Sequence, residues 1–450
     1  MKNIKLVFWG VLAVISLLWF AADPAVFEAR TVFALRDFMM QYSGVLAISA
    51  MSIAMVLALR PRWPEQWLGG LDKMYRLHKW LGISALIFAV VHWLWSETPK
   101  WAIGLGLLAR PERGERPVVV NPVEQFLSGL RDPAEGLGEW AFYAIVLLIA
   151  VALIKLIPYR LFFKTHRVIA VAYLVLVFHT VVLAEFAYWT SPLGLILALL
   201  LIAGSLAAVV VLFRRVAHGR QVTGEIVELQ HYPGVRALES RIKLQPGWPG
   251  HQPGQFAFAT SDNQEGAHPY TIASAWDPAN PKVTFIIKAL GDHTSRLASE
   301  LNIGQQIKIE GPYGCFTFDD GAARQIWIGG GIGITPFVSR MKYLAQTRNQ
   351  KPEGAAQTID LFHSTAELDE GALARLATDA TDADVRLHVL IDAKHGRLTG
   401  DRIREEVPDW RDASIWFCGP VGFGDALRAD FAAHGLDVNT KFHQELFSMR

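Results

Sequence analysis

Two apolar runs, each closed at both ends by a histidine, constrain this chain more than any other feature. The first runs from His78 to His92, the second from His166 to His179, and together they hold all four histidines of the first 217 residues. Histidine is a poor lipid-facing side chain, and ionisable groups inside apolar spans mark functional sites. At about 1.5 Å rise per residue, fourteen residues place the two imidazoles of the first run roughly 21 Å apart along a helix. Two such helices side by side can hold two metal centres, one above the other, each taking one axial nitrogen from each helix. Haem iron accepts imidazole on both faces. The spacing therefore predicts two stacked b-type haems, with His78 and His166 on one and His92 and His179 on the other.

The surrounding sequence fits a membrane. The chain has 450 residues, 52% of them hydrophobic, with a mean hydropathy of +0.24, and the apolar surplus lies before residue 214. Six stretches of membrane length are expected near 6–22, 38–59, 80–96, 139–157, 166–187 and 192–213. The first lacks a small-residue cleavage site and opens a multi-span bundle, so it reads as an anchor and not a removable signal. A formal net charge of +1 gives no indication of nucleic acid. The two cysteines, Cys315 and Cys418, are far apart, so no disulfide framework is indicated and the second half suits a reducing cytoplasm.

Basic residues set the expected orientation. Lys2 and Lys5, then Arg60, Arg62, Lys73, Arg76 and Lys79, then Lys155, Arg160, Lys164 and Arg167, and finally Arg214 and Arg215 all fall on one side, taken as cytoplasmic. The protein is thus expected in a bacterial inner membrane, in contact with lipid, with its second half in the cytoplasm. The third and fifth spans then both run outward, placing His78 and His166 at the inner level and His92 and His179 at the outer. Arg76, Lys79, Lys164 and Arg167 flank the inner pair, where they can meet haem propionates. The opposite side carries a long segment, 97–138, expected to cap the outer end of the bundle. One misfit stands out: thirteen residues rotate His179 by about 140° from His166 in an ideal helix. A bend, a π-bulge or local unwinding is expected to correct it.

After residue 214 the pattern changes to short strands and Gly/Pro turns, as in a small β-barrel followed by an α/β sheet. In His268-Pro269-Tyr270-Thr271-Ile-Ala273-Ser274, the tyrosine can stack on a planar ring system and Thr271 can hydrogen-bond its edge. In the stretch from Lys288 through Gly291, His293 and Thr294, glycine and hydroxyls sit at a helix start, where free N–H groups favour phosphate; such residues also serve as simple helix caps. An apolar strand then runs into Gly329-Gly330-Gly331-Ile-Gly333 and a helix near Thr335 and Pro336, the strand, turn and helix that a pyrophosphate needs. A later strand ends in Cys418-Gly419-Pro420, at the carboxyl edge where ligands bind in such sheets.

In this order the motifs of the second half resemble the ferredoxin–NADP reductase superfamily, with Gly-Pro-Tyr-Gly at 311–314 completing the set. The first half resembles the ferric reductase transmembrane domain, and the joined arrangement is similar to prokaryotic NADPH-oxidase-like and ferric-reductase-like proteins. The resemblance implies a six-helix di-haem membrane domain over 1–213, a linker over 214–221, an FAD-binding β-barrel over 222–322 and a doubly wound NAD(P)-binding α/β domain over 323–450. It implies Glu445 and Phe447 as the terminal acid and aromatic, the ring lying over the flavin until nicotinamide displaces it, with Thr271 and Cys418 at the reacting edge. His268 stands where many soluble relatives carry arginine. The implied path is NAD(P)H to FAD, to the inner haem, to the outer haem, to an external acceptor: dioxygen, or alternatively a ferric chelate or quinone. A reading of another class is a cytoplasmic flavin reductase on a non-redox membrane anchor. No partner protein is inferable. After the second nucleotide strand, Ser364 and Thr365 are followed by Ala366, where an NADP-selective relative commonly has arginine. Acids follow, at Glu367, Asp369 and Glu370, so NADH is expected to serve at least as well as NADPH unless Arg386 or Arg397 reaches a 2′-phosphate.

Overall fold

The computed structural model describes residues 2–110, 119–154, 156–262, 265–348 and 357–445. It divides into two compact units, with the division in the chain between Ala217 and His218.

The first unit is helical: α1 (Lys2–Ala22), α2 (Val32–Ala58), the short α3 (Glu65–Leu68), α4 (Leu71–Gly104), α5 (Pro122–Gly129), α6 (Arg131–Leu153), α7 (Tyr159–Leu183) and α8 (Pro192–Leu212). Six of these are long and apolar enough to cross a membrane, in the number and order expected. Their starts follow capping chemistry. Thr31 Oγ1 accepts from Ala34 N, and Ser191 caps α8 with proline at its first position, where a missing N–H costs nothing. The apolar window of α2 is 67% buried against 17–28% for the other five, so α2 is the inner helix and the others turn apolar side chains such as Leu17, Trp140 and Leu199 outward. The third span exceeds the expected 80–96: α4 has 34 residues, about 51 Å against a hydrocarbon core of roughly 30 Å, so its ends project beyond the core.

Helix α7 is uninterrupted α-helix from residue 159 to 183. The expected local unwinding or π-bulge between His166 and His179 is therefore absent, and the thirteen-residue interval is not corrected by a break in the backbone ladder.

The second unit holds two sheets. Strands β1 (Gln221–Tyr232), β2 (Ala237–Leu244), β3 (Phe256–Thr260), β4 (His268–Thr271), β5 (Lys282–Lys288) and β6 (Gln306–Tyr313), with helix α9 (Asp292–Glu300), form an antiparallel sheet in the order β4-β3-β6-β1-β2-β5. One bridge, Ile272 with Phe285, ties the residue after β4 to the far edge strand β5. The sheet thus curls toward a barrel whose last seam is a single bridge, around Ile226, Val283, Phe285 and Ile309.

Strands β7 (Arg324–Gly330), β8 (Thr358–Thr365), β9 (Arg386–Ile391), β10 (Ser414–Cys418) and β11 (Phe442–Gln444) form a parallel sheet, order β11-β10-β7-β8-β9. The helices are α10 (Thr335–Thr347), α11 (Glu370–Asp382), α12 (Asp392–His395), α13 (Gly400–Glu406) and α14 (Val421–Ala433). Alternation along β7 decides the layers. Ile326 and Ile328 pack with Ile403, Leu427 and Phe431, while Trp327 between them packs with Phe337, Met341 and Leu376 on the other face.

Candidate functional site

In the helical unit the four histidines meet in two pairs. The rings of His78 and His166 lie 5.9 Å apart between centres, those of His92 and His179 6.2 Å. Metal–nitrogen bonds of about 2 Å would place the centres of two imidazoles sharing one metal roughly that far apart. The ring nitrogens supply a second test. His78 Nδ1 donates to Ala54 O at 2.9 Å and His92 Nδ1 to Met40 O at 2.8 Å, both on α2, while His179 Nδ1 donates to Ala134 O at 2.9 Å on α6. A proton committed to Nδ1 leaves the Nε2 lone pair as the ligand, the arrangement that metal-binding histidines adopt. These residues fit haem. His166 is the exception: its buried Nδ1 meets no acceptor among the described residues, and its ring stacks on Phe162 at 5.1 Å. The interval explains the difference. Fourteen residues keep His78 and His92 facing α2, whereas thirteen give His166 and His179 different rotations about α7, and only His179 meets a carbonyl of α6.

The flavin-type loops are held by their own hydrogen bonds. Ser274 Oγ accepts from Thr284 N at 3.1 Å, and Ser274 O accepts from Ser339 Oγ at 2.9 Å. Ala273 N donates to Thr284 O, and Thr271 is buried. The ring of Tyr270 leans on Phe285, and Pro269 pairs with Phe258 in the strand register. His268 and His293 stack at 4.0 Å. Burial first, and the neighbouring His293 second, push His268 down to about 4, so at neutral pH the stacked pair is uncharged and offers an anion N–H donors in place of the positive charge of arginine. At the start of α9, Thr294 Oγ1 accepts from Leu290 N and Gly291 N at 3.0 and 3.1 Å, so this hydroxyl caps the helix. Lys288 pairs with Glu367 at 2.6 Å.

At the carboxyl edge of the parallel sheet the two glycine turns touch. A Cβ on Gly333 would lie 2.2 Å from Cys418 O, and one on Gly330 would lie 2.9 Å from Pro420 and 3.4 Å from Gly419. Gly331 has a φ of +56°, and Gly329 pairs with Cys418 on one side and His363 on the other. Thr335 Oγ1 donates to Ile332 O at 2.8 Å within the turn. Ser364 Oγ donates to Asp392 Oδ1 at 3.2 Å, an acid that sequence reasoning passed over although it directly follows β9. Burial, and then Glu445, raise the Cys418 thiol well above its ordinary range, so it stays protonated. Glu445 is itself buried; Phe447 lies outside the described residues. Arg386 lies away from the carboxyl edge, since it opens β9 at the opposite end of the sheet and is bonded to Asp360 at 2.9 Å. Arg397 is exposed beyond α12.

Residues 43–177, which include His78, His92 and His166 and end two residues before His179, match the model of the ferric reductase like transmembrane component. This is a ferric-reductase-like membrane domain. The sheet-containing part of the chain, about half of it, is a reductase module of the ferredoxin–NADP reductase type. It is similar to the reductase component of propane 2-monooxygenase from Mycolicibacterium smegmatis, 27% identical over 229 residues, 48% of this chain and 65% of that protein. It is also similar to an NADPH oxidoreductase from Mycobacterium tuberculosis, 30% identical over 217 residues, 46% of this chain and 55% of the relative. The chain thus spans between about half and two thirds of the length of these relatives. Among solved structures, a cytochrome P450 reductase of Amycolatopsis aligns with a TM-score of 0.42 at 22% identity, covering 51% of this chain and 70% of that one.

Proposed function

We propose that the ferric-reductase-like protein is an NAD(P)H-dependent oxidoreductase that moves electrons across a membrane, with FAD and two b-type haems as redox groups and dioxygen as the acceptor. The observation that carries this reading is the pair of facing histidine couples, three of whose four rings have Nδ1 tied to a helix carbonyl. When bound, a flavin converts the two-electron hydride of nicotinamide into the single electrons that haem iron accepts. Ala54, Met40 and Ala134 hold the imidazoles in the tautomer that leaves Nε2 free. His78 and His166 would hold the inner haem, and His92 and His179 the outer. Each haem would be held by two histidines, so dioxygen would take its electron without binding the iron. On the nucleotide side, Gly331 would leave room for a pyrophosphate to approach the backbone while Gly330 and Gly333 let the turn pack against Cys418, Gly419 and Pro420, with Ser364 at the same edge. His268, Tyr270 and Thr271, with His293, would line the flavin site.

The match to ferric reductases favours a second acceptor, a ferric chelate, at the end of the same path. Purified protein should show a reduced-minus-oxidised spectrum of bis-histidine haem; its absence would sink the reading and leave a flavin reductase on a membrane anchor. Superoxide formation and ferric-chelate reduction, compared in sealed vesicles, then separate the two acceptors. A further expectation concerns the glycine turn. Gly333→Ala forces the turn away from Cys418 O, and a displacement of about 1 Å can cost a hundredfold in rate. NADH oxidation with an artificial acceptor should fall by about that factor, and a near-wild-type kcat/KM would show that the turn does not seat the nucleotide.

A further inference from the structure

The loop after β8 lies at the carboxyl edge of the parallel sheet, lining one cavity with the glycine turn, and its own sequence is acidic. The structure shows what those acids do. Asp369 caps α11 by accepting from Ala372 N and also accepts from Gly234 N, in the β1–β2 turn, at 2.9 Å. Glu367 reaches across to the first sheet. Its carboxylate accepts from Arg236 Nη2 at 2.6 Å and from Nε at 3.2 Å, and it pairs with Lys288 Nζ at 2.6 Å. Thr365 shapes the loop for this, with Oγ1 donating to Glu367 O at 2.9 Å. Arg236 stands at the β1–β2 turn with φ +49°, and Lys288 is the last residue of β5. Two cations of the flavin sheet thus converge on one acid of the nucleotide sheet.

Beside this triad lies a cavity of about 100 Å³, whose wall includes Gly331, Ile332, Thr365, Lys288 and Glu367. Whole-ligand pockets begin at roughly 300 Å³, so the cavity is too small for a nucleotide; Lys288 and Glu367 stand on its mostly apolar wall, and Arg236 lies outside that wall. The hydrogen bonds from Lys288 and then Arg236 hold the Glu367 carboxyl below its usual range, so it is an anion wherever the enzyme works.

We propose that Glu367 sets nucleotide selectivity by occupying the two cations, Arg236 and Lys288, that would otherwise receive the 2′-phosphate of NADPH. NADH carries no group that competes for them. NADPH must displace an ion pair made on both sides, and phosphate gains from guanidinium only where the fork is vacant. The inference rests on the NAD(P)H reading given above.

The test uses the full-length protein in detergent, with flavin reduction by NADH and by NADPH followed separately. In Glu367→Gln the NADPH-to-NADH ratio of kcat/KM should rise tenfold or more, about 1.4 kcal/mol of differential binding. Arg236→Ala placed in the same variant should reverse most of that gain. Binding of 2′-AMP against 5′-AMP supplies a second readout that needs no turnover: 2′-AMP should tighten in Glu367→Gln while 5′-AMP changes less. An unchanged ratio together with unchanged 2′-AMP binding would overturn the proposal while leaving the NAD(P)H reading intact. So would a wild-type preference for NADPH above about a hundredfold, some 2.7 kcal/mol. Flavin reduction by neither donor would remove the underlying reading and the inference with it.

Discussion

Replacing His92 and His179 together with alanine is expected to leave the purified protein with one haem instead of two, and His78→Ala/His166→Ala is expected to do the same for the other site. Each couple forms its own site, since both rings of a couple lie within about 6 Å of each other and their carbonyl partners are distinct. Ala54 and Met40 back the two α4 rings and Ala134 one α7 ring. Loss of one site therefore leaves the second set of ligands oriented. A subtler variant makes the same point without touching a ligand. Gly138 on α6 faces His179, and a Cβ there would lie 2.0 Å from His179 Nδ1 and 2.8 Å from its Cγ. Such an approach cannot be absorbed without moving the ring or the helix, and interiors packed at crystal density have little slack. Gly138→Ala should therefore empty the outer site and spare the inner one. Haem per chain by pyridine haemochrome, with potentiometric titration to identify the species that remains, decides the matter. Two haems in Gly138→Ala, or a full complement in either double variant, would sink the assignment.

The histidine couples were legible in the sequence because they are a matter of identity and spacing: four titratable rings in spans that otherwise exclude charge. What backs those rings was not legible. Ala54, Met40 and Ala134 act through backbone carbonyls, which every residue carries, so nothing in their side chains marks them out. The same holds for Gly138, whose role is the absence of a side chain at one close approach. Of the remedies expected for the thirteen-residue interval, a π-bulge and local unwinding do not occur. Helix α7 keeps its ladder, because breaking backbone hydrogen bonds in an apolar medium costs several kcal/mol per group, while leaving one imidazole nitrogen without an acceptor costs less, about 1–3 kcal/mol.

In the sheet-containing unit the strand, turn and helix order was readable from Gly, Pro and alternating apolar residues, while the contact of the glycine turn with Cys418 was not. Individual polar side chains were harder. A loop hydroxyl serves the nearest unsatisfied backbone group first, which is what Thr294, Thr335 and Ser274 do. The acids after β8 read as helix-start charge, and Asp369 does cap α11, but it also accepts from Gly234 N in the β1–β2 turn. Glu367 pairs with Arg236 and Lys288, residues more than 70 positions away whose proximity no local pattern carries.

The sheet-containing unit should also depend heavily on one carboxylate far from the nucleotide edge. Asp360 is fully buried in β8 and accepts from Arg386 Nη2 at 2.9 Å and His388 Nε2 at 2.8 Å, and it pairs with Arg324 Nη1 at 2.6 Å. Burial alone would raise its carboxyl, but hydrogen bonds from His388 and Arg324 outweigh that and hold it below the usual carboxylate range. Arg324 is itself buried, with Asp409 at 2.8 Å as its second partner. Removing one member of a buried charge cluster typically costs about 3–5 kcal/mol, because the remaining charge is left uncompensated. Arg386, at 60% exposure, adds little to that figure. Asp360→Asn should therefore lower the thermal transition of this unit by roughly 10 °C at neutral pH, read in near-ultraviolet circular dichroism from Trp327 and Trp416, which are buried in the strands of the same sheet. The pH dependence has a definite sign. A carboxyl whose folded value lies below its unfolded value of about 3.9 contributes its stability in full above that pH and loses it as pH falls through the folded value. The gap between wild type and variant should be widest at neutral pH and narrow in acid below about pH 4. A variant that melts within about 2 °C of wild type at pH 7, or a gap that widens on acidification, would show that the arginines are satisfied without Asp360.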